Sequence, residues 1–146
     1  MEPKVWVFFY GSYINPDVLK EVDLVPEHWE VARLAGFDLI IAPRANILRD
    51  PAQVVWGILA TATHTELARL YLDHAKGILG EVYLPEAIMA TDEHGRLRPA
   101  MTYISPAMES RPAEHAYVER IARPAEQFGF PDWYVAKIRS FSLNAD

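Results

Sequence analysis

Near the start of the sequence, a continuous apolar and aromatic run stops abruptly at a Gly-Ser pair: Val5-Trp6-Val7-Phe8-Phe9-Tyr10-Gly11-Ser12-Tyr13-Ile14. A short run of β-branched and aromatic residues bounded by glycine is typical of a buried central strand, which we predict over residues 4–9. Gly11 permits a tight turn, and Asn15-Pro16-Asp17 signals the start of a short helix. Strand, glycine turn and helix start together predict either a backbone nest that binds an anion or an ordinary turn.

The composition limits the classes of protein to which the chain can belong. Its 146 residues predict one domain over residues 1–146. A net charge of −6 without a basic cluster argues against nucleic acid as a partner. No apolar run approaches the length of a membrane span, so no membrane partner is expected. The absence of cysteine excludes disulfides, thiolate nucleophiles and Cys-ligated zinc, and it favours a cytoplasmic location.

The middle of the chain carries further strand signals. Residues 27–41 predict two strands, or one long strand with a bulge at Gly36. Residues 42–53 contain two prolines and several polar residues, which predict a surface loop. Residues 54–61 are again apolar and β-branched, and they predict a second buried strand.

Helices and a hairpin complete the predicted architecture. Thr63 and Glu66 have the spacing of a capping box, which starts a helix whose apolar face includes His74. Gly77 is predicted to end that helix in the left-handed conformation. Residues 82–105 predict a hairpin, and helices follow it. The fold class is therefore α+β, with a closed or strongly curved sheet.

Several segments, in this order along the chain, resemble the gamma-glutamylcyclotransferase-like family, which includes the ChaC-like proteins. The matching segments are Tyr10-Gly11-Ser12-Tyr13-Ile14, Val54-Val55-Trp56-Gly57-Ile58-Leu59, Leu72-Asp73-His74-Ala75-Lys76-Gly77, Tyr103-Ile104, Tyr117-x-x-x-Ile121 and Gly129-Phe130-Pro131-Asp132-Trp133-Tyr134. They extend over nearly the whole chain. The resemblance implies a small mixed β-barrel of five or more strands flanked by helices.

The resemblance also implies a reaction. In that family, the α-amine of a small gamma-glutamyl substrate attacks its own side-chain carbonyl, the attached amine or amino acid leaves, and 5-oxoproline forms. This chemistry implies no metal and no cofactor. The family loop that binds the amino-acid end of the substrate matches residues 10–14 of this chain. A tyrosine that lines the pocket in the family matches Tyr103. The predicted substrate-binding residues are therefore Tyr10, Gly11, Ser12, Tyr13, Ile14 and Tyr103.

One position departs from the family pattern. The resemblance places the proton carrier at a glutamate directly before the glycine of Leu-Asp-x-x-Glu-Gly, and this chain has Lys76 there. A lysine in water, with a pKa of about 10.4, is protonated at neutral pH and cannot accept the proton of the amine. Glu81 is the nearest carboxylate along the chain. Three alternatives remain: Glu81 carries the proton, Lys76 acts as a base or carboxylate anchor, or the pocket lacks this chemistry.

Other chemistries find less support in the sequence. Ser12 lacks the Gly-x-Ser-x-Gly pattern of a serine nucleophile, and the five histidines lack metal-binding spacing. Arg33, Arg44 and Arg49 flank or lie within the predicted loop; ordinary surface arginines are the default interpretation, and a contact of one of them with a substrate carboxylate is the alternative. We therefore expect a cyclotransferase, with a non-catalytic ligand-binding module or an enzyme of altered amide chemistry as alternatives. The sequence leaves the leaving group and the oligomeric state open.

Overall fold

Five strands form a closed barrel in this computed structural model, which describes residues 2–142. The strands are β1 (Lys4–Phe9), β2 (Trp29–Ile41), β3 (Ala45–Thr63), β4 (Leu84–Thr91) and β5 (Leu97–Ile104). Their order around the barrel is β1-β3-β2-β4-β5. β1 and β5 close the barrel as a parallel pair, and the other neighbours are antiparallel. The predicted α+β class with a closed mixed sheet is confirmed.

Helices surround the barrel. They are α1 (Pro16–Lys20), α2 (His64–Ala68), a π-helix (Arg69–Lys76) that continues α2, α3 (His115–Gln127) and α4 (Asp132–Ser140). The predicted capping box is confirmed, because the Thr63 hydroxyl accepts from the Glu66 amide at 3.1 Å and the Glu66 carboxylate accepts from the Thr63 amide at 2.8 Å. No described helix is long and apolar enough to cross a membrane.

The predicted surface loop over residues 42–53 is wrong beyond Arg44, because β3 begins at Ala45. Residues 45–49 of β3 pair with residues 37–41 of β2, and Ala45 and Ile47 are buried in the barrel. Two prolines suggested a loop, but Pro43 precedes the strand and Pro51 lies where the register shifts opposite Gly36. The bulge predicted at Gly36 is confirmed, with φ of +87° at that residue.

The helix ends at Lys76, directly before Gly77, as predicted, but the left-handed conformation predicted for Gly77 is wrong. Gly77 has a right-handed φ of −76°, and the first left-handed residue beyond it is Gly80, with φ of +81°. The chain makes a further turn because the amides of Ile78 and Leu79 both donate to the carbonyl of His74. Gly77 is required for a different reason: a Cβ there would lie 2.4 Å from the carbonyl oxygen of Asp73.

A buried amide ties the start of β3 to the end of β5. The Asn46 side chain donates to the carbonyl of Ser105 at 2.8 Å and accepts from the amide of Ser105 at 3.0 Å. Both residues are at least nine-tenths buried. This two-way contact satisfies main-chain groups that no longer belong to the β4–β5 ladder, and it fixes the neighbouring residue Ala45.

Replacing Asn46 by alanine therefore leaves two buried main-chain groups of Ser105 without partners. We expect the free energy of unfolding to fall by about 2 kcal/mol in a urea titration. Gln53→Ala, at an exposed position of the same strand, is the control and is expected to change it by less than about 0.5 kcal/mol. Equal effects of the two substitutions would contradict the assigned role of Asn46.

Candidate functional site

A narrow cavity lies beyond the end of β1, and tyrosines dominate its wall. Within residues 2–142, its lining consists of Phe9, Tyr10, Gly11, Ser12, Tyr13, Ala45, Tyr71, Leu79, Tyr83, Tyr103 and Tyr117. Six of the seven tyrosines of the chain are in this set. The volume of the cavity is about 20 Å³, which is room for about one water molecule.

The floor of the cavity depends on a close contact between Gly11 and Ala45. A Cβ at Gly11 would lie 2.5 Å from the Cβ of Ala45, so only glycine fits there. The amide of Ala45 donates to the hydroxyl of Tyr117 at 2.9 Å, and its carbonyl accepts from the hydroxyl of Tyr83 at 2.5 Å. Two cavity tyrosines therefore hold the main chain of Ala45 against the loop after β1.

Several phenol groups at the cavity keep an unused hydrogen-bond donor. The hydroxyls of Tyr71 and Tyr103 make no hydrogen bond to another described residue, and their rings stack at 3.7 Å. The Tyr117 hydroxyl accepts from Ala45, which leaves its own proton for Ser12 or for a ligand. In contrast, the hydroxyl of Tyr10 donates its proton to the main-chain carbonyl of Tyr103 at 2.6 Å. The cavity therefore offers uncharged donors to a ligand.

Burial keeps these phenols neutral. It raises the pKa of Tyr10, Tyr71 and Tyr83 well above the usual value, and it raises the pKa of Tyr13 and Tyr103 as well. Burial also raises the pKa of Tyr117, although the amide of Ala45 and the nearby Arg44 act against this rise. At neutral pH these side chains are therefore hydrogen-bond donors and not bases.

Comparison with known proteins finds distant relatives of the chain and solved structures with the same fold. No protein-family model matches the chain. The gamma-glutamylcyclotransferase of Bos taurus is 26% identical over 149 aligned residues, which cover 94% of this chain and 78% of the bovine protein. A solved structure named gamma-glutamyl cyclotransferase has a TM-score of 0.79 at 22% identity and covers 94% of this chain and 88% of its own. The chain therefore has the fold of the gamma-glutamylcyclotransferase-like proteins.

A second solved structure has the same fold. It is a human protein described as uncharacterized, with a TM-score of 0.81 at 22% identity, and the match covers 95% of this chain and 88% of the human chain. Because both solved structures are below 25% identity, they establish the fold, and the roles of individual residues have to come from the geometry of this chain.

The two candidate proton carriers lie outside the cavity lining. Lys76 is exposed at the end of the π-helix. Glu81 is 8% exposed, and its amide donates to the carbonyl of Ala75 at 3.0 Å. Burial is the main cause of the raised pKa of Tyr117, and the charge of Glu81 acts in the same direction. Of the two groups, Glu81 is the buried one with an electrostatic link to the cavity.

The predicted binding residues divide into two groups. Tyr10, Gly11, Ser12, Tyr13 and Tyr103 all line the cavity. Ile14 is buried in a different place, an apolar groove that it shares with residues of α1 and with Trp29.

His74 points inward, as its place on the apolar face predicted, and is 5% exposed. The Tyr13 hydroxyl donates to the carbonyl of Leu70 at 2.9 Å, so Nδ1 of His74, 3.0 Å away, donates to the hydroxyl oxygen. Nε2 of His74 lies 3.6 Å from Glu21. His74 therefore fixes Tyr13 from behind the cavity wall.

The sequence did not identify Ala45, Tyr71, Tyr83 and Tyr117 as part of the site. Apolar periodicity places Tyr71 and Tyr117 on the buried faces of their helices, and it does not distinguish a core position from a cavity wall. Ala45 was assigned to a loop. Among the described residues, no group of three or more His, Asp or Glu side chains is placed to hold a metal ion.

The contact between Gly11 and Ala45 can be tested by adding a methyl group at residue 11 and removing the one at residue 45. Gly11→Ala is expected to lower the free energy of unfolding by about 1–3 kcal/mol, because the added methyl overlaps Ala45. Adding Ala45→Gly removes the overlap, so the double variant should unfold at a higher urea concentration than Gly11→Ala alone. If Ala45→Gly lowers stability equally in both backgrounds, the proposed contact is wrong.

The buried phenols predict a cooperative alkaline transition. All seven tyrosines have a folded-state pKa raised by burial above the value of about 10 in an unfolded chain. The neutral tyrosines therefore stabilise the folded state fully when the pH is below their unfolded-state pKa. This stabilisation is lost as the pH rises through their folded-state pKa values. Tyrosinate absorbance should therefore appear together with loss of circular dichroism, above about pH 10. Several tyrosines ionising at that pH in a folded protein would contradict the assigned burial.

Proposed function

We propose that the protein is a cytoplasmic gamma-glutamylcyclotransferase that converts a small gamma-glutamyl amine or peptide into 5-oxoproline and releases the amine. One observation carries the proposal: the loop Gly11–Tyr13 borders a cavity in which Tyr71 and Tyr103 retain phenol protons for a ligand. The name of the bovine relative supports the same chemistry.

The reaction is an intramolecular acyl transfer. The α-amine nitrogen attacks the γ-carbonyl carbon, the bond from that carbon to the leaving nitrogen breaks, and one proton passes from the attacking to the leaving nitrogen. A tight cavity favours this step by holding the flexible glutamyl chain in a folded conformation. Neutral phenol donors stabilise the charge that develops on the carbonyl oxygen. No oxidation or reduction takes place.

We assign the transfer of the proton to Glu81. The step requires a group that accepts a proton from the amine and returns it to the leaving nitrogen, which a carboxylate can do. Glu81 is buried, and its charge adds to the effect of burial in raising the pKa of Tyr117, whereas Lys76 is exposed at the helix end. A lysine at that position also has a simpler role, since a cation at the C-terminal end of a helix is favoured by the helix dipole.

Substrate binding requires the cavity to widen. Sites for small ligands usually have volumes of about 300–1,000 Å³, far more than the 20 Å³ found here. We infer that the cavity widens at Leu79, which lies in the irregular segment between the π-helix and β4, next to Gly80 with its φ of +81°. The same segment carries Glu81, so widening the cavity also shifts the proposed proton carrier.

A non-catalytic ligand-binding module on this fold is the second candidate. The narrow cavity favours it, as does Lys76 in the place where the family resemblance puts a glutamate. In that case, the protein would bind gamma-glutamyl compounds or 5-oxoproline without converting them.

The deciding experiment follows 5-oxoproline by mass spectrometry after incubation with a panel of gamma-glutamyl amines and dipeptides. We expect product with the native protein and a loss of about 100-fold or more in Glu81→Gln, because a positioned acid–base group typically contributes that much. Lys76→Ala should keep most of the activity. Glu86→Gln is the matched control, because Glu86 pairs with Arg49 on the outside of the barrel.

The outcomes separate the alternatives. Loss of product in Lys76→Ala, with activity kept in Glu81→Gln, would transfer the catalytic role to Lys76. Binding of a panel compound without product in the folded native protein would establish the ligand-binding module and reject the cyclotransferase.

A further inference from the structure

One buried histidine contacts two separate parts of the cavity wall. His74 lies on the buried face of the π-helix, and its Nδ1 is 3.0 Å from the hydroxyl of Tyr13. Its main-chain carbonyl accepts from the amides of Ile78 and Leu79 at 2.9 and 3.0 Å. Tyr13 and Leu79 both line the cavity. His74 therefore joins the loop after β1 to the segment that we infer to move when the cavity widens.

The second partner of the Tyr13 hydroxyl fixes the direction of its contact with His74. The hydroxyl donates its single proton to the carbonyl of Leu70 at 2.9 Å. Its oxygen is then an acceptor, so Nδ1 of His74 carries the proton of this second contact. Burial raises the pKa of Tyr13, so the hydroxyl keeps its own proton at neutral pH and the pattern is preserved.

The other ring nitrogen of His74 faces a carboxylate. Nε2 lies 3.6 Å from Oε1 of Glu21, the residue that follows α1. With a proton on Nδ1, a second proton on Nε2 makes the ring an imidazolium that points an N–H at this carboxylate. A carboxylate behind a histidine orients the ring in the same way in many functional sites. Glu21 thus holds the ring most firmly when both nitrogens are protonated.

Helix α3 fixes Glu21 in turn. Its Oε2 forms an ion pair with Arg120, whose side chain is half exposed like that of Glu21. The main-chain carbonyl of Arg120 accepts from the side chain of Asn15 at 2.9 Å. Asn15 directly follows the single helical turn over Ser12–Ile14. A chain of polar contacts therefore runs from α3 through Glu21 to His74, and both of its ends reach the cavity loop.

We propose that His74, with Glu21 behind it, is a positioning residue that holds Tyr13 and the loop Gly11–Tyr13 in the conformation that binds a ligand. The inference rests on the proposed function and adds to it two residues that contact neither the substrate nor the transferred proton. Without this pair, the substrate has to order the loop when it binds, which weakens binding. The proton transfer itself is expected to be unchanged.

Two substitutions of His74 separate its hydrogen bond from its bulk. His74→Asn keeps an amide donor close to the position of Nδ1, whereas His74→Leu fills similar space without a donor. In the 5-oxoproline assay, His74→Leu should raise KM about tenfold, as the loss of one charge-assisted hydrogen bond does. Its kcat should change by less than about twofold. His74→Asn should restore most of the native KM, and an equal loss in both variants would overturn the proposal.

Glu21→Gln tests the same contacts from the surface, where the substitution leaves the core intact. It should raise KM about threefold, as the loss of a half-exposed charge pair does. In a Tyr13→Phe background, which lacks the hydroxyl that His74 contacts, it should have no further effect. Glu27→Gln is the matched control, because Glu27 pairs with Lys4 at the opposite end of β1. Additive effects of Glu21→Gln and Tyr13→Phe would refute the proposed coupling.

Failure of the proposed function gives a different result. If no panel compound yields 5-oxoproline, the cyclotransferase is rejected, and amide hydrogen exchange tests the loop directly. The amides of Ile14 and Asn15 donate to the carbonyls of Gly11 and Ser12 at 3.1 and 3.0 Å, so their exchange reports opening of the turn. Exchange about threefold faster at these amides in Glu21→Gln, with the β1–β3 ladder unchanged, would support the positioning role. Unchanged exchange, or an equal increase throughout the protein, would overturn it.

Discussion

The site depends on the contact between Gly11 and Ala45, where the loop after β1 meets the start of β3. Because glycine has no side chain, the two segments approach closely enough for hydroxyls from Tyr83 and Tyr117 to hold both main-chain groups of Ala45. Asn46, the next residue, is tied to the end of β5. A few polar contacts thus bring together segments far apart in the sequence and place the cavity at one end of the barrel.

The chemical character of the site changes from its interior to its rim. The interior contains neutral phenols and main-chain groups, and burial opposes their ionisation. The charged side chains Glu81, Arg44 and Arg111 lie around it. An uncharged interior of this kind suits a substrate carbonyl, whereas a carboxylate at the rim can carry a proton. This division accounts for the proposed chemistry without a metal or a covalent intermediate.

Local patterns predicted the elements that local physical chemistry determines. The apolar run of β1, the bulge at Gly36 and the capping box at Thr63 depend on neighbouring residues, and all three are found. The start of β3 was assigned to a loop because the sequence there contains prolines. Its strand conformation depends on pairing with β2, a tertiary contact that the local sequence pattern does not reveal. The π-helix and the gathering of six tyrosines around one cavity likewise arise from packing between distant segments. The same limit applies to the burial of Glu81, which has no local signature in the sequence.

The most direct test of this account is a titration of the isotope-labelled protein with 5-oxoproline, the proposed product, followed by the NMR chemical shifts of the backbone amides. The account predicts saturable shifts at Gly11, Ser12 and Tyr13, together with Ala45 on the opposite wall, because the ligand would bind between these segments. Shifts confined to other surfaces, or no shifts at millimolar 5-oxoproline, would contradict the claim that the cavity beside Gly11 is the ligand site.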